Sequence, residues 1–352
     1  MKTCQVISSW PLDSTIGSGT ANVVRATKKI LSNNQFKVRV ISADYPAGGY
    51  IFTSLRRIKF NLGLNKLADA DEPTIAFDFD GFWFSKKRRW VSVNQGVLAD
   101  VARFEAVPVR QTVRMLAALE QVAVRKAERV FTPSRYSADK ISELYGVSPG
   151  KIEVAPNGVF KNDVPEFSPR IKNRPPVVLC VARLYRRKGV DLLLRAWKLV
   201  HAGEPEAVLQ IAGDGLEYQN LKNLARELEL EKNVTFLGDV PDREKMAALY
   251  AGADVFCLPT LHETFGIVFL EAMSAGLPIV ALNATAVPEV VRHETDGLLT
   301  GPSEKDAAGA LISLIKDGAL REKMGRAGRE RVLRDFLWEK TSAGFVEYIS
   351  RW

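Results

Sequence analysis

Residues 262–280 read HETFGIVFLEAMSAGLPIV, and the interpretation of the whole chain starts from them. An apolar run at 254–259 precedes them and ends at a proline, which is typical of a buried parallel strand. Residues 269–275 are good helix formers, and Gly276 and Pro278 stop the helix before a second apolar run at 278–281. The stretch therefore predicts a strand, a loop, a helix and a second strand.

Two glutamates lie eight residues apart in this stretch, Glu263 on the loop and Glu271 inside the helix. A carboxylate accepts two hydrogen bonds, which suits the vicinal hydroxyls of a ribose or a hexose. The free backbone amides and the dipole of the helix start can hold a phosphate. The residues that open the helix are Phe265, Gly266, Ile267 and Val268. The alternative is a solvated Glu263 and a Glu271 that is paired on a helix face.

The same string closely resembles the E-x7-E motif of retaining glycosyltransferases of the GT-B fold, in particular glycosyltransferase family 4. The resemblance covers nearly the whole chain and is strongest from residue 177 to residue 299. It implies an α/β fold of two Rossmann-like, doubly wound domains that face each other across a cleft. We expect an acceptor-binding domain at 1–165, a nucleotide-sugar donor domain at 166–335, and a C-terminal helix at 336–352 that crosses back to the first domain.

The composition fits a soluble, two-domain protein. The chain has 352 residues, of which 46% are hydrophobic and 26% charged. It contains no apolar run of the ~20 residues that a bilayer requires, and its first residues are too polar for a signal peptide. Cys4, Cys180 and Cys257 fall in strand-like runs, which indicates buried free thiols in a reducing compartment. We therefore expect a cytoplasmic protein.

The positive charge is concentrated in the first half of the chain. Residues 1–170 hold 25 Lys and Arg against 16 Asp and Glu, whereas the remainder holds 24 against 25. An amphipathic helix with a basic face is predicted at 51–62, and residues 82–90 mix aromatic rings with four consecutive cations. This pattern suits an anionic acceptor or a peripheral contact with a membrane headgroup layer. The alternative is a core helix end followed by a solvated charge run; no module typical of nucleic-acid binding accompanies it.

A glycine pair, Gly17 and Gly19, precedes the first predicted helix. A dinucleotide-binding fingerprint requires a third glycine where Asn22 stands, although Asp44 keeps a nicotinamide-dependent oxidoreductase as an alternative. We interpret the pair as a loop that closely approaches the donor phosphates or the acceptor, against the alternative of a plain tight turn.

Asn94 and Gln95 end another predicted strand of the first half. In the resembled family a histidine that lies beside the donor sugar commonly holds the place of Gln95. Residues 1–170 contain no histidine, so no imidazole of the first domain can act there. The two side-chain amides can still hydrogen-bond a sugar hydroxyl, and the alternative for Gln95 is an amide that satisfies its own loop.

Arg183 and Lys188 follow the predicted strand at 176–181, at the strand end where open α/β sheets bind ligands. A guanidinium and an ammonium together can neutralise a diphosphate, and the pair matches the R-x4-K of the resembled family. The alternative is a solvated basic loop. The resemblance further implies that the backbone near Val240 hydrogen-bonds the nucleobase of the donor.

The residues and the resemblance together predict a hexosyltransferase-type enzyme of polysaccharide biosynthesis, and the resemblance implies that it retains the anomeric configuration. Its donor would be a nucleotide sugar, UDP- or GDP-linked, and its acceptor a glycan, a lipid-linked glycan or a glycolipid. Arg183, Lys188 and Glu263 would carry the chemistry without a metal or another cofactor; Asp78 and Asp80 have metal-site spacing but are interpreted as a loop feature. The alternative class is a catalytically weak, nucleotide-sugar-binding partner subunit.

Overall fold

The computed structural model describes residues 2–12, 19–45, 49–85, 88–166 and 174–352. The strands are β1 (Lys2–Ser8), β2 (Phe36–Ser42), β3 (Thr74–Phe77), β4 (Trp90–Val93), β5 (Arg129–Thr132), β6 (Ile152–Val154), β7 (Val177–Val181), β8 (Val208–Ala212), β9 (Val234–Gly238), β10 (Val255–Leu258), β11 (Ile279–Leu282) and β12 (Gly297–Thr300). The helices are α1 (Gly19–Asn33), α2 (Tyr50–Leu67), α3 (Leu98–Val101), α4 (Val109–Lys126), α5 (Arg135–Tyr145), α6 (Val190–Gly203), α7 (Tyr218–Glu227), α8 (Arg243–Gly252), α9 (Ile267–Ser274), α10 (Val287–Val290), α11 (Glu304–Lys316), α12 (Gly318–Asp335), α13 (Trp338–Thr341) and α14 (Ala343–Ser350). Gly17, Lys86 and Lys87 lie outside the described residues.

The chain divides into two units. The first contains Met1–Asn157 and Trp338–Trp352, and the second contains Gly158–Leu337. The sequence placed these divisions at 165 and 336. The first division falls earlier because Val159 pairs with Leu337 and donates its amide hydrogen to the carbonyl of Phe336, at 2.9 Å.

The first unit is built on a parallel sheet with the strand order β2-β1-β3-β4-β5-β6. Its strand order reverses between β1 and β3, which pair with each other in parallel. Residues that follow these two strands meet at their carboxyl ends, where the backbone amide of Ser9 donates to Oδ2 of Asp80 at 2.6 Å. A doubly wound sheet opens its ligand crevice at such a reversal.

The second unit repeats this plan with the strand order β12-β11-β10-β7-β8-β9. Here the reversal lies between β7 and β10, which pair through Val178 and Val255. Both strands are almost completely buried because helices cover both faces of the sheet. The strand, loop, helix and strand predicted from residues 254–281 are confirmed as β10, α9 and β11.

Helix α2 is present, but several of its apolar side chains face outward, although Leu64 is buried in the core. Arg57 and Asn61 are buried, whereas Ile51, Phe52 and Leu55 are about half exposed. The reason is a set of polar partners from elsewhere in the first unit. Nε of Arg57 donates to the Ser9 hydroxyl at 2.9 Å, and the Asn61 side-chain amide donates to Asp80 at 2.7 Å. These partners therefore place Arg57 and Asn61 on the buried face of the helix, together with Leu64.

The described part of the aromatic and basic stretch at 82–90 is divided between the interior and the surface of the first unit, with Trp83, Ser85 and Arg89 exposed. Phe82, Phe84 and Trp90 are buried in its core. Arg88 is also buried and donates to the carbonyls of Ala68 and Asp69. The expectation of a headgroup-facing stretch is thus wrong for these residues, because the sheet and α2 surround them.

The cysteines agree with the sequence prediction. Cys4, Cys180 and Cys257 are free and buried, and burial raises the pKa of Cys4 and of Cys180 to about 12. Among the described helices, none combines the length and the apolar character that a bilayer crossing needs.

Candidate functional site

The loops that follow β7 and β10 meet at the strand reversal of the second unit. Gly189 ends the β7 loop with φ +66°, and a Cβ at this position would collide with the carbonyl oxygen of Pro259. The amide of Leu261 donates to the carbonyl of Arg187 at 2.8 Å. The Thr260 hydroxyl reaches the same carbonyl at 3.2 Å. The two loops are therefore held against each other by backbone contacts.

Lys188 and Glu263 form an ion pair at this junction. Nζ of Lys188 donates to Oε2 of Glu263, and their side chains are only 14% and 13% exposed. Burial alone would raise the pKa of Glu263. The positive charge and hydrogen bond of Lys188, together with Arg187 and His262, outweigh burial, so that the net pKa lies below the ordinary glutamate value. Glu263 is thus held as a carboxylate beside a cation.

Arg183 points in another direction. Its guanidinium lies 3.9 Å from the carboxylate of Asp239, in the loop after β9, and both side chains are partly exposed. Since β7 lies between β10 and β8 in the sheet, Lys188 extends toward one side and Arg183 toward the other. The structure therefore joins Lys188 to Glu263 directly and does not place Arg183 in the same contact.

Helix α9 begins beside this pair. Gly266 is its N-cap with φ +88°, and no side chain caps the helix start. A Cβ at Gly266 would lie 2.5 Å from the Phe269 ring and 3.2 Å from Cγ of Glu263. The amides at the helix start thus open next to Glu263, because the first turn of a helix has no intrahelical acceptors for them.

The four residues predicted to begin α9 differ in which of their atoms can contact a ligand. Phe265 is buried, and its ring contacts Phe336 at a centroid distance of 6.0 Å, so that only its backbone can face a ligand. Ile267 and Val268 are half-buried in the first turn of the helix. The predicted phosphate contact therefore depends on backbone amides and not on these side chains.

Glu271 lies one helical turn further along α9 and has a partner that the sequence did not reveal. The Tyr250 hydroxyl, from α8, donates to Oε2 of Glu271 at 2.8 Å. Burial raises the pKa of Glu271, opposed by this hydrogen bond and by the positive charge of Arg243. Val240, predicted to contact the nucleobase through its backbone, is half-buried just beyond β9, which is an edge strand.

A third loop, which follows β11, supports the Glu263 segment. The amide of Glu263 donates to the Thr285 hydroxyl at 3.0 Å, and the amide of Ala286 donates to the Glu263 carbonyl at 3.2 Å. Thr285 adopts φ +51°, which is rare for a β-branched residue. Thr260, Thr285 and Tyr250 were not predicted from the sequence. The spacing of these residues carries no signal, because each acts on a partner that is distant along the chain.

In the first unit, Asp78 accepts hydrogen bonds from Gln95 and from Thr20, the residue that follows Gly19. Oδ1 of Asp78 accepts from the amide of Gln95 at 3.2 Å, and Oδ2 accepts from the Thr20 hydroxyl at 3.1 Å. Oε1 of Gln95 accepts from Asn157 at 2.8 Å. Gly19 is the first residue of α1, and a Cβ there would meet none of the described atoms within 4 Å. Packing against the described residues therefore does not explain a glycine at position 19.

Asn94 does not fit its predicted contact with a sugar. Its side chain is completely buried, and it is among the groups that act on the buried carboxyl of Glu120. Since Asn94 is buried in the interior, we assign it no sugar contact, and a sugar or acceptor contact of Gln95 stays a prediction.

The loop interpretation of Asp78 and Asp80 agrees with the structure. Both side chains are buried, and their partners are Ser9, Asn61, Thr20 and Gln95 from the surrounding loops and helices. Burial raises the pKa of Asp80 to about 6, against the lowering effects of Arg57, Asn61 and Ser9. In the described ranges, no group of three or more His, Cys, Asp or Glu side chains is arranged to hold a metal ion.

Family models match both halves of the chain. Residues 163–331 match the model described as Glycosyl transferases group 1, and residues 17–163 match the model described as Glycosyltransferase Family 4. A glycogen synthase of Mycobacterium tuberculosis is 33% identical over 237 residues, which are 66% of this chain and 56% of the relative. A GDP-mannose-dependent alpha-(1-6)-phosphatidylinositol monomannoside mannosyltransferase of the same species is 34% identical over 61% of this chain and 60% of its own length. The chain thus spans somewhat more than half of the length of these relatives.

Solved structures support the same fold. A sucrose-phosphate synthase from Thermosynechococcus elongatus superimposes with a TM-score of 0.81 at 20% identity, covering 100% of this chain and 99% of that one. The Anabaena protein HepE, solved in complex with UDP and glucose, gives a TM-score of 0.75 at 20% identity, with both chains fully covered. The two doubly wound sheets are the Rossmann-like domains of the GT-B fold.

The chain belongs to the glycosyltransferases of family 4, the group 1 glycosyl transferases. The family resemblance seen in residues 262–280 is therefore confirmed. This membership removes the nicotinamide-dependent oxidoreductase from the alternatives.

Proposed function

We propose that this protein transfers a hexose from a nucleoside diphosphate sugar to an acceptor hydroxyl with retention of anomeric configuration. The observation that carries the proposal is the Lys188–Glu263 pair at the strand reversal of the second unit. It places a cation, a carboxylate and the open start of α9 at the position where doubly wound sheets bind nucleotides.

The positive groups of this site act on the leaving group. When the bond between the sugar C1 and the phosphate oxygen breaks, the nucleoside diphosphate gains negative charge. Lys188 and the amides at the start of α9 stabilise that charge, and Arg183 joins them after it leaves Asp239. In this mechanism the diphosphate replaces Glu263 as the partner of Lys188.

The two glutamates bind the two sugars of the donor. Glu263, freed from Lys188, accepts hydrogen bonds from hydroxyls of the transferred hexose. Glu271 accepts from the ribose hydroxyls, with Tyr250 holding one of its oxygens. The backbone near Val240 contacts the base. Glu263 and Glu271 thus bind the donor, and Lys188 and Arg183 assist the cleavage of its sugar–phosphate bond.

Retention is proposed from family membership. The acceptor oxygen bonds to C1 on the face from which the phosphate leaves, and the departing phosphate oxygen takes the proton of the acceptor hydroxyl. Gln95, half-buried in the first unit, holds the place of the usual histidine, and its side-chain amide can donate a hydrogen bond to a sugar hydroxyl. No side chain then acts as a general base.

We also propose that transfer does not require a metal, because Lys188, Arg183 and the start of α9 supply the positive charge at the diphosphate. Activity that persists in excess EDTA supports this assignment. Activity that disappears in EDTA and returns with Mg²⁺ or Mn²⁺ overturns it.

The donor base and the acceptor are proposed as classes. HepE was solved with UDP and glucose, and the mycobacterial mannosyltransferase is named for GDP-mannose and a phosphatidylinositol mannoside. We accordingly propose a UDP- or GDP-hexose donor and a glycan, lipid-linked glycan or glycolipid acceptor. The place of action proposed is polysaccharide biosynthesis at the cytoplasmic side of a membrane.

A panel of nucleotide sugars tests the function. Thermal melting with UDP- and GDP-hexoses identifies the donor, because a ligand that binds only the folded protein raises the melting temperature. Slow release of free nucleoside diphosphate from that donor, without acceptor, is the result expected of a transferase. A full panel that neither raises the melting temperature nor yields nucleoside diphosphate contradicts the proposal.

The second candidate is a nucleotide-sugar-binding partner subunit with little turnover of its own. It is favoured by Gln95 in the position of the family histidine. Binding of a nucleotide sugar without any release of nucleoside diphosphate, with or without acceptor, selects the partner subunit over the enzyme.

A further inference from the structure

Helix α2 presents an outer face on which apolar and basic side chains alternate. We define the α2 outer face as Ile51, Phe52, Leu55, Lys59, Leu62 and Lys66. Its four apolar members are 49–57% exposed, and both lysines are exposed. At 100° per residue these positions fall within one continuous arc of the helix. Of thirteen exposed large apolar side chains in the described part of the chain, five lie on α2, so the clustering is specific to this helix.

Two neighbours extend this face. Trp83 is 55% exposed, and its carbonyl accepts a hydrogen bond from Asn65 of α2 at 3.0 Å, which places it beside the second half of the helix. The guanidinium of Arg56 lies 4.5 Å from the centroid of the Phe52 ring. The surface thus combines exposed aromatic and aliphatic side chains with cations, and the helix contains no acidic residue.

The orientation of α2 is fixed by two polar side chains on its buried face. Arg57 is anchored by Ser9 and lies 3.5 Å from Asp78, and Asn61 is anchored by Asp80. Rotation of the helix to bury its apolar side chains would leave the carboxylates of Asp78 and Asp80 without these buried partners, which is costly. The exposed apolar face is therefore a stable feature of the folded unit.

We propose that the α2 outer face docks on a lipid surface that carries negative headgroups. A helix lying in a membrane interface inserts apolar and aromatic side chains between headgroups, while its lysines bind anionic lipids. Charge decides between this surface and a second copy of the chain: two copies of a face that carries only positive charge repel each other. Residues 1–170, which contain the helix, hold 25 basic against 16 acidic residues, and this excess favours the same anionic partner.

This docking does not depend on the proposed transfer reaction, because it uses none of the residues of the donor site. It deepens that proposal by bringing the first unit to a membrane that would display a lipid-linked acceptor. A failure of docking and a failure of transfer are therefore seen in separate measurements.

Co-sedimentation with vesicles tests the proposal. The full-length protein is mixed with vesicles of phosphatidylcholine alone or of phosphatidylcholine and phosphatidylglycerol in equal parts. We expect binding to the anionic vesicles, weakened by high salt, and little binding to the neutral ones. Lys59→Gln with Lys66→Gln should weaken the partition constant by about 25-fold, from roughly fivefold per basic residue near an anionic surface. Leu55→Ser with Leu62→Ser should weaken it by at least about tenfold through lost apolar insertion.

The matched control is Lys305→Gln with Lys323→Gln, two exposed lysines of the second unit, which should bind vesicles as the wild type does. The melting temperature and the circular dichroism spectrum of every variant, measured without vesicles, should match those of the wild type, which shows that each one folds. Equal binding to neutral and anionic vesicles, no binding to either, or wild-type binding by both α2 variants overturns the proposal. A dimer in sedimentation velocity that the α2 variants dissolve, without vesicle binding, overturns it in favour of a second copy.

Discussion

In the structure, the ammonium of Lys188 donates to the carboxylate of Glu263, so that the cation of one loop neutralises the acid of the other. The two residues follow β7 and β10, on either side of the strand reversal, and both are largely buried. In the proposed mechanism, a diphosphate that enters this site competes with Glu263 for Lys188. The pair would then link recognition of the sugar to stabilisation of the leaving group.

Replacement of Lys188 by alanine should lower turnover by at least ~10²-fold, the scale for the loss of one charge-stabilising group at a leaving oxyanion. Initial rates of nucleoside diphosphate release at saturating donor and acceptor measure this effect. The control is Lys198→Ala, an exposed lysine of α6 that pairs with Glu229, which should keep wild-type turnover. Near-native turnover of Lys188→Ala would refute its role.

Replacement of Glu263 by glutamine should change the affinities for the diphosphate and for the sugar in opposite directions. A free Lys188 binds the nucleoside diphosphate more tightly, by several-fold, because the phosphate no longer displaces a carboxylate. The gain in affinity contributed by the sugar should shrink, since an amide accepts fewer hydrogen bonds than a carboxylate. Calorimetric titration with nucleoside diphosphate and with nucleotide sugar compares the two. Weaker binding of both ligands to the same extent would contradict this account.

Removal of the Tyr250 hydroxyl should act on donor binding more than on turnover. Without its hydrogen bond, Glu271 is less well fixed for the ribose, so Tyr250→Phe should raise the donor KM by about tenfold, the effect of one hydrogen bond to a charged group. Its kcat should change less than about threefold, because the ribose contact is equal in ground state and transition state. Tyr218→Phe, whose ring contacts Phe236, is the control. A fall in kcat with constant KM would disprove a positioning role.

Much of the fold could be predicted from the sequence because its signals are local. The apolar runs that became β10 and β11 and the breakers Gly276 and Pro278 act on neighbouring residues. The positions of Lys188 and Glu263 followed from the rule that strand ends share one edge of a parallel sheet.

The remaining features depend on partners that are distant along the chain. The buried face of α2 is set by Ser9, before the helix, and by Asp80, after it. Likewise, the direction of Arg183 depends on Asp239, and the environment of Glu271 depends on Tyr250. No periodicity or spacing in the sequence carries these pairings, so they became visible only in the structure.

The backbone at Gly266 should tolerate no side chain. Gly266→Ala adds a Cβ beside the Phe269 ring at φ +88°, and such strain costs about 1–3 kcal/mol. We expect a lower free energy of unfolding in urea and weaker binding of nucleoside diphosphate, because the start of α9 shifts. Gly309→Ala is the control, since its Cβ meets no atom within 4 Å in the middle of α11. Equal stability and binding in both variants would rule out this requirement.

The stability of the first unit should depend on pH through Glu120. Burial raises its pKa to about 8, from an ordinary value of 4.5, with opposition from the Tyr145 hydroxyl and the Leu98 amide. The folded state therefore keeps a proton that the unfolded state has lost, so the contribution of Glu120 to stability falls as pH rises from about 4.5 to about 8.

Glu120→Gln removes this dependence because the amide does not titrate. The urea midpoint of the variant, relative to the wild type, should rise between pH 5 and pH 8. Asp139→Asn, an exposed carboxyl of α5, should show no such change. A difference in urea midpoint between Glu120→Gln and the wild type that stays constant from pH 5 to pH 8 would contradict the assignment.

The most direct test of the donor site is calorimetric titration of the wild type and of Lys188→Ala with UDP, UMP, GDP and GMP. We predict that the wild type binds one diphosphate more tightly than the matching monophosphate. Lys188→Ala should weaken the binding of the diphosphate by at least about tenfold and leave the affinity for the monophosphate nearly unchanged. Equal losses for both nucleotides, or diphosphate binding that Lys188→Ala does not weaken, would contradict the assignment of Lys188 to the leaving group.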